Sequence, residues 1–147
     1  MVGDGPLAEE VRRRAAARGV SEAVDLLGFC DNPFPLMRAA DLFLLASDYE
    51  GLPNALIEAQ GLGLPAVATR CPTGPEEIVA DGETGRLVPV GDMDALAAAA
   101  EEILADEGRR RAMGEAAARR ARERFSLAAV LPRWEELLAT VAARGER

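Results

Sequence analysis

The sequence predicts an α/β fold, in which a parallel sheet carries helices on its faces. Short apolar segments alternate with amphipathic helical segments along most of the chain, and this alternation is typical of βαβ units rather than of a sandwich or a bundle. With 147 residues, of which 49% are hydrophobic, the chain can bury the core of one domain but not of two full α/β lobes. We therefore expect residues 1–147 to form a single domain.

The elements follow from periodicity and from the positions of glycine and proline. Apolar strands are expected at residues 24–27, 42–45, 65–68 and 86–88. Helices are expected at residues 6–18, 34–39, 54–61, 75–79, 92–105, 108–124 and 126–143. Gly19 ends the first helix, and residues 81–85 form a tight turn before the last strand. The segment 42–45 is apolar throughout, as is typical of a strand that is buried on both faces.

The most informative segment is residues 47–69, SDYEGLPNALIEAQGLGLPAVAT. It places Glu50 and Glu58 around a glycine-proline turn that opens a helix. Gly51 lets the backbone come close to a ligand, because it has no side chain. Pro53 suits the first position of a helix, where no amide proton is needed. This layout is typical of a nucleotide-sugar site.

Each group in this segment has a chemical role in that hypothesis. The free backbone amides of Leu52, Asn54 and Ala55 would point at an anion, and a diphosphate fits such a helix end. Glu58, two turns along, can accept both hydroxyls of a ribose. Glu50, ahead of the helix, can accept hydroxyls from a sugar beyond the phosphates.

The eight-residue spacing of the two acids is a weak signal by itself. Glu107, Glu115 and Glu123 repeat it within a helical stretch rich in arginine and alanine, where solvated helix carboxylates are expected. No glycine turn or apolar strand precedes those three acids. For Glu50 and Glu58, the residues alone leave open a loop acid and an exposed helix acid, since a strand, a turn and a helix start also occur in plain α/β packing.

The pattern S-x-x-E-G-L-P-N-A-L-I-E-A-x-G-L-G-L-P-A-V-A-T closely resembles the donor-binding signature of family-4, or group 1, glycosyltransferases. These are retaining enzymes of the two-lobed GT-B architecture, and they carry E-x7-E at this place. VGDGP at residues 2–6 looks like the end of that family's second strand. Residues 27–47 look like its base-binding loop and fourth strand, and residues 71–96 like the loop, turn and last strand that follow. The resemblance covers nearly the whole chain.

The resemblance implies a fold and a reaction. The fold is the C-terminal, donor-binding lobe, a Rossmann-like parallel sheet with flanking helices. The reaction moves a sugar from a nucleoside diphosphate sugar to a glycan or lipid-linked acceptor with retention at the anomeric carbon, as in polysaccharide synthesis. No metal and no cofactor beyond the donor are expected. A nucleotide-sugar donor and an acceptor-binding N-terminal lobe are the implied partners.

The same resemblance assigns roles to residues. Glu50 is the catalytic residue, which positions the donor sugar, and Glu58 binds the ribose. The donor sugar and diphosphate are bound by Glu50, Gly51, Leu52, Pro53, Asn54 and Ala55. The edge of the nucleotide base is expected against the backbone of Gly28, Phe29 and Cys30. From the residues alone, Phe29 is equally well explained as a core aromatic.

The family's donor lobe normally begins with a strand ending in G-R, followed by a lysine, and this basic pair clamps the diphosphate. Neither residue is present in this sequence. We expect the lobe to lack its first strand and helix, and the chain to be part of a larger enzyme, a truncated or split gene product, or a degenerate copy. The isolated chain is expected to be inactive and to bind a nucleoside diphosphate sugar at best with a Kd of roughly 1 mM.

Two other classes of function remain open. One is a non-catalytic module that binds nucleotide sugars or another protein. The other is a sugar-nucleotide epimerase or a glycogen-type phosphorylase of the same architecture. The chain contains no histidine, and every basic residue is arginine, so no lysine can hold a pyridoxal cofactor. This weakens the phosphorylase hypothesis.

Composition excludes several other functions. A net charge of -8 argues against nucleic-acid binding. No apolar run approaches ~20 residues and no cleavable signal opens the chain, so we expect a cytoplasmic protein without a transmembrane segment.

Cys30 and Cys71 lack paired spacing and are expected to be buried thiols. Asp92 and Asp94 have D-x-D spacing, but helix capping explains both better than a cation site.

The last two predicted helices differ in the side chains on their surfaces. Residues 108–124 are rich in arginine, which favours contact with an anionic surface such as the inner face of the cytoplasmic membrane. Their apolar face is mostly alanine, which favours a solvated basic helix instead. Residues 126–143 carry an apolar stripe at steps of three and four residues. Trp134 in this stripe is expected in the core, and part of the stripe is expected to brace the N-terminal lobe.

Overall fold

The computed structural model describes residues 1–145. The chain divides into two compact units, Met1–Pro35 and Leu36–Arg147. That all of these residues act as one nucleotide-sugar-binding domain stays a prediction.

The first unit contains the helix α1 (Ala8–Ala17) and a single 3₁₀ turn (Ser21–Ala23). The expected strand at residues 24–27 is extended at its start but forms no regular strand. Its backbone bonds run to residues 1–3, with the Leu27 amide donating to the Met1 carbonyl at 3.0 Å.

The second unit is built on a parallel sheet of three strands in the order β1-β2-β3. The strands are β1 (Phe43–Leu45), β2 (Ala66–Thr69) and β3 (Gly85–Val88). The helices are α2 (Phe34–Ala39), α3 (Asn54–Gly61), α4 (Pro75–Ile78), α5 (Met93–Leu104), α6 (Glu107–Phe125) and α7 (Leu127–Gly145). The first two residues of α2 belong to the first unit. The parallel pairing and the alternation of strands and helices agree with the fold class that the sequence predicts.

The central strand β2 is covered on both faces. The prediction that residues 42–45 form a strand buried on both faces is wrong, because β1 lies at the edge of the sheet and Leu44 is 51% exposed. Every residue of β2 is buried. Ala66 and Ala68 join one apolar cluster, which includes Leu56 of α3 and Ile78 of α4. Val67 points to the other face. There the second cluster comprises Val67, Val88, Ala99, Ile103 and Met113, from the sheet, α5 and α6. β2 therefore lies at the centre of the core, and the ends of β1 and β2 are firmly placed.

Capping of α5 and α6 follows the sequence closely. The Asp92 carboxylate accepts a hydrogen bond from the Ala95 amide at 2.9 Å, and Asp94 lies in the first turn of α5. The prediction that the D-x-D pair serves helix capping is confirmed. Asp106 caps α6 in the same way through the Arg109 amide.

The arginine-rich helix α6 is partly engaged within the protein. Met113, Gly114, Ala117 and Ala121 form its buried face. The Arg120 side chain donates to the carbonyls of Ile78 and Glu77, which closes the end of α4. Three further arginines pair with acids: Arg109 with Glu102, Arg110 with Asp41 and Arg111 with Glu107. These pairings reduce the basic surface on which membrane contact would depend, and such contact stays a prediction.

The expected core position of Trp134 is wrong, because 56% of this residue is exposed. In α7, the buried or half-buried side chains are confined to the first turn, around Val130. The rest of the apolar stripe, including Leu138 and Val141, is exposed as well. A regular stripe reveals an amphipathic face but does not say what covers it. Bracing of an N-terminal lobe by this helix stays a prediction.

The two cysteines are free thiols, with Cys71 buried and Cys30 half-buried. Full burial was expected for both, so the expectation holds for Cys71 only. Within residues 1–145, no helix combines the length and the apolarity that a membrane span needs.

Candidate functional site

The predicted site lies where β1 and β2 end. The loop of residues 46–53 leads from β1 to α3, and the loop of residues 70–74 leads from β2 to α4. In open parallel sheets ligands bind at this carboxyl edge. Both loops therefore lie where a ligand is expected.

Glu50 is held at this edge by a chain of hydrogen bonds. The Ser47 hydroxyl donates to Glu50 Oε1 at 2.7 Å. The carbonyl of Ser47 accepts in turn from the hydroxyl of Thr69, which is fully buried at the end of β2. The second carboxylate oxygen of Glu50 accepts no hydrogen bond from residues 1–145. The carboxylate is thus oriented from the sheet and keeps one oxygen for a ligand.

The backbone amides at the start of α3 donate no hydrogen bond to an acceptor within the residues that the structure describes. No side chain caps this helix. The Pro53 carbonyl accepts from Leu56 and from the residue after it. No acceptor within residues 1–145 takes a bond from the amides of Leu52, Asn54 and Ala55. A helix end with free amides attracts an anion through its donors and its dipole.

Pro53 itself lies one position earlier than the sequence suggests. It is the residue before α3, with φ -72° and ψ 96°, and Asn54 is the first helical residue. The expectation that Pro53 occupies the first helical position is therefore wrong by one residue. Extended backbone at Pro53 lets its carbonyl receive the first helical hydrogen bonds.

Glu58 lies on the same face of α3 as the side chains of Asn54 and Ala55. It follows Asn54 by four residues and Ala55 by three, and such residues are neighbours on a helix surface. The side chain is half-buried and makes no hydrogen bond or ion pair with the residues that the structure describes. Its carboxylate is available to a ligand that also contacts the start of α3.

The loop after β2 forms a second wall, which sequence reasoning missed. Gly74 has φ 81°, and a Cβ added there would lie 2.2 Å from the Gly51 carbonyl oxygen and 2.6 Å from Pro53 Cδ. Beside it, the Thr73 hydroxyl lies 2.6 Å from the Glu50 carbonyl oxygen. These contacts join positions more than 20 residues apart. The glycine before Pro75 was the only local signal for them.

Arg70 is the basic residue nearest the end of β2 in the sequence. Its guanidinium donates to Glu76 Oε1 at 2.5 Å and to Asp81 Oδ2 at 3.3 Å. Two exposed carboxylates therefore pair with this arginine, whose side chain is itself 47% exposed.

The three base-edge residues lie in the first unit. Gly28 has φ 67°, Cys30 is half-buried, and 77% of Phe29 is exposed. The exposed ring overturns the alternative that Phe29 is a core aromatic. Contact of Gly28, Phe29 and Cys30 with a nucleotide base stays a prediction.

The site contains donors for an anion between two groups of acceptors for hydroxyls. No group of three or more histidine, cysteine, aspartate or glutamate side chains is placed to hold a metal within residues 1–145. A parallel α/β sheet with a free helix start at its carboxyl edge defines a class of domains suited to phosphorylated ligands.

The chain belongs to the glycosyl transferases group 1 family, which it matches over residues 1–120. This confirms the group 1 membership that the sequence pattern predicts.

Relatives with known names agree with this membership. The chain is 34% identical to the lipopolysaccharide core biosynthesis glycosyltransferase LpsE of Rhizobium meliloti, over 95% of this chain and 41% of that protein. It is 37% identical to an exopolysaccharide phosphotransferase of Streptomyces coelicolor, over 97% of this chain and 15% of that protein. The chain thus spans less than half the length of these two relatives.

Solved structures share the fold. HepE of Anabaena in complex with UDP superimposes with a TM-score of 0.89 at 26% identity, over 95% of this chain and 40% of that chain. The pneumococcal O-GlcNAc transferase GtfA in complex with UDP and GlcNAc superimposes with a TM-score of 0.84 at 26% identity, over 96% of this chain and 29% of that chain. The expected fold class, that of GT-B glycosyltransferases, is confirmed.

The contact between the two loops can be tested with two glycines that have the same positive φ. Gly74 and Gly82 both have φ 81°, but a Cβ at Gly82 would meet nothing within 4 Å. We expect Gly82→Ala to cost about 1 to 2 kcal/mol of unfolding free energy, from backbone conformation alone. Gly74→Ala should cost about 1 to 3 kcal/mol more, because the methyl group overlaps Gly51.

Urea unfolding followed by circular dichroism measures both costs. Equal losses in the two variants would contradict the close approach of the loops.

Proposed function

We propose that this chain is the donor-binding part of a retaining glycosyltransferase, which moves a sugar from a nucleoside diphosphate sugar to a glycan or lipid-linked acceptor. The observation that carries the proposal is the set of three free amides at the start of α3, with Glu50 before them and Glu58 after them. Family membership supports it, and so do the solved structures of similar fold that contain UDP.

In this proposal the amides of Leu52, Asn54 and Ala55 bind the diphosphate of the donor. During transfer the bond between the anomeric carbon and a diphosphate oxygen breaks, and negative charge develops on the leaving group. Fixed amides aimed at that charge stabilise the transition state more than the ground state. This electrostatic term is the main catalytic contribution of the helix start.

The two acids hold the ends of the donor. Glu50 positions the sugar through its free carboxylate oxygen, while Ser47 holds the other oxygen at 2.7 Å. Glu58 accepts the ribose hydroxyls. Glu58 has no part in the chemical step, so the pair is not the two-carboxylate scheme of glycoside hydrolases.

The acceptor site belongs, in this proposal, to a second lobe. The greater length of the relatives is consistent with one, since this chain spans 41% of LpsE. A cytoplasmic location is part of the same hypothesis.

The affinity of this chain for a donor should be weak. A helix start contributes up to about 2 kcal/mol to an anion. A hydrogen bond to a carboxylate contributes about 1.5 to 3 kcal/mol, and ordering of the ligand offsets part of these gains. Arg70 would have to exchange its contacts with Glu76 and Asp81 for a contact with phosphate, which reduces its contribution. We expect a Kd of roughly 1 mM.

The roles of the two acids can be separated with two ligands. Glu58→Ala should weaken binding of both UDP and UDP-glucose by about tenfold or more, because the ribose occurs in both. Glu50→Ala should weaken UDP-glucose binding similarly and leave UDP binding within about twofold, because UDP has no sugar beyond the phosphates. Titration followed by nuclear magnetic resonance measures affinities in this range.

GDP and GDP-mannose are titrated in parallel, and the tighter-binding base is used for the variants. Glu115→Ala is the control, since Glu115 is an exposed helix acid without a role at the site. If Glu50→Ala and Glu58→Ala lose the same affinity for UDP, Glu50 does not act on the sugar alone and its proposed role is wrong. If Glu58→Ala binds UDP and UDP-glucose as tightly as the native chain, Glu58 does not bind the ribose.

Gly51 offers a test of how closely the ligand approaches. A Cβ at Gly51 would meet no protein atom within 4 Å. We expect Gly51→Ala to leave the unfolding temperature nearly unchanged and to weaken UDP binding by about tenfold, because the methyl group occupies space needed by the diphosphate. Thermal unfolding and the same titration measure both quantities.

Gly61→Ala is the matched control, because Gly61 is a residue of α3 whose added Cβ would also meet nothing within 4 Å. Normal UDP binding by Gly51→Ala would contradict a diphosphate seated on this turn.

A further inference from the structure

We propose that Thr73 is a positioning residue, which fixes the turn of residues 50–53 in the geometry that binds the donor. This inference rests on the proposed function and deepens it. Thr73 lies in the loop after β2, outside the segment from residue 47 to residue 69 that the sequence pattern marks. Its action is indirect, through the backbone of Glu50.

The first observation is the hydrogen bond to the turn. The Thr73 hydroxyl lies 2.6 Å from the carbonyl oxygen of Glu50, across 23 residues of sequence. The Pro72 carbonyl lies at the same distance and competes for the single proton. Ser47 holds the side chain of Glu50 from the opposite end. Together these bonds fix both the carboxylate and the backbone of the catalytic residue.

The second observation is the backbone conformation of Thr73. Among residues 1–145 it is the one non-glycine residue with positive φ, at 65°. A β-branched residue in this region is strained, whereas glycine adopts it freely. Such strain persists only where surrounding contacts enforce it, and it occurs preferentially at functional sites. The hydroxyl is what threonine supplies here and glycine does not.

The third observation is the residue that follows. Gly74 lies so close to Gly51 and Pro53 that no side chain fits between them. The loop after β2 therefore contacts the turn at two successive residues, through the hydroxyl of Thr73 and the backbone of Gly74. The directions of the free amides of Leu52 and Asn54 depend on the backbone angles of this turn. A loosened turn would present these amides in many orientations, and binding would have to order them again.

A positioning role and a merely structural role predict opposite results for Thr73→Gly. Glycine removes the strained φ, so the variant should unfold at the same temperature as the native chain or higher. It also removes the hydroxyl, so binding of UDP-glucose should weaken by about five- to tenfold. Thr73→Ser keeps the hydroxyl and should bind within about twofold of the native chain.

The experiment combines three measurements on the 147-residue chain and these two variants. Thermal unfolding reports stability, and titration with UDP-glucose reports affinity. Amide order parameters of Leu52, Asn54 and Ala55 in the ligand-free chain report the turn itself. We expect values of about 0.85 in the native chain and in Thr73→Ser, and below about 0.6 in Thr73→Gly.

Unchanged order parameters and unchanged affinity in Thr73→Gly would overturn the proposal. A loss of affinity that only accompanies a lower unfolding temperature would overturn it too, because it would show a structural role. If the native chain binds no nucleotide sugar, the proposed function fails. The order parameters then still decide whether Thr73 fixes the turn.

Discussion

The site depends on the contact between two loops that leave neighbouring parallel strands. Gly74, after β2, touches the backbone of Gly51 and the ring of Pro53, after β1, and no side chain fits at that point. Because β2 is buried along its whole length, the loop that follows it starts from a fixed place. The turn before α3 is held against this loop. The amides at the helix start therefore have defined directions before any ligand arrives, which lowers the cost of ordering the site.

The fold was largely predictable from local patterns. The helices Phe34–Ala39 and Asn54–Gly61 agree with the predicted bounds to the residue, because apolar periodicity and the flanking glycine or proline define them. The errors have tertiary causes. Residues 24–27 make backbone hydrogen bonds to residues 1–3 without forming a regular strand, and such pairing is not visible in the local pattern. Trp134 belongs to a regular apolar stripe, but whether such a stripe is covered depends on what packs against it.

The site was predictable only in part, for a similar reason. Glu50, Glu58 and the free amides of α3 lie within one segment, so spacing and family resemblance find them together. Thr73 and Gly74 come from the loop after β2, and their contacts with Glu50, Gly51 and Pro53 cross more than 20 residues of sequence. The positive φ of Thr73 has no signature in the sequence, since threonine rarely adopts it. The sequence also could not reveal that Arg70 is bound to Glu76 and Asp81.

The central claim is that the helix start of α3 binds the diphosphate of a nucleotide. The most direct measurement is a nuclear magnetic resonance titration of the isotope-labelled chain with UDP up to about 10 mM, a range that covers the expected Kd. The account predicts that the amide signals of Leu52, Asn54 and Ala55 shift most and saturate together. Saturable shifts confined to other parts of the chain, or none at all, would contradict it.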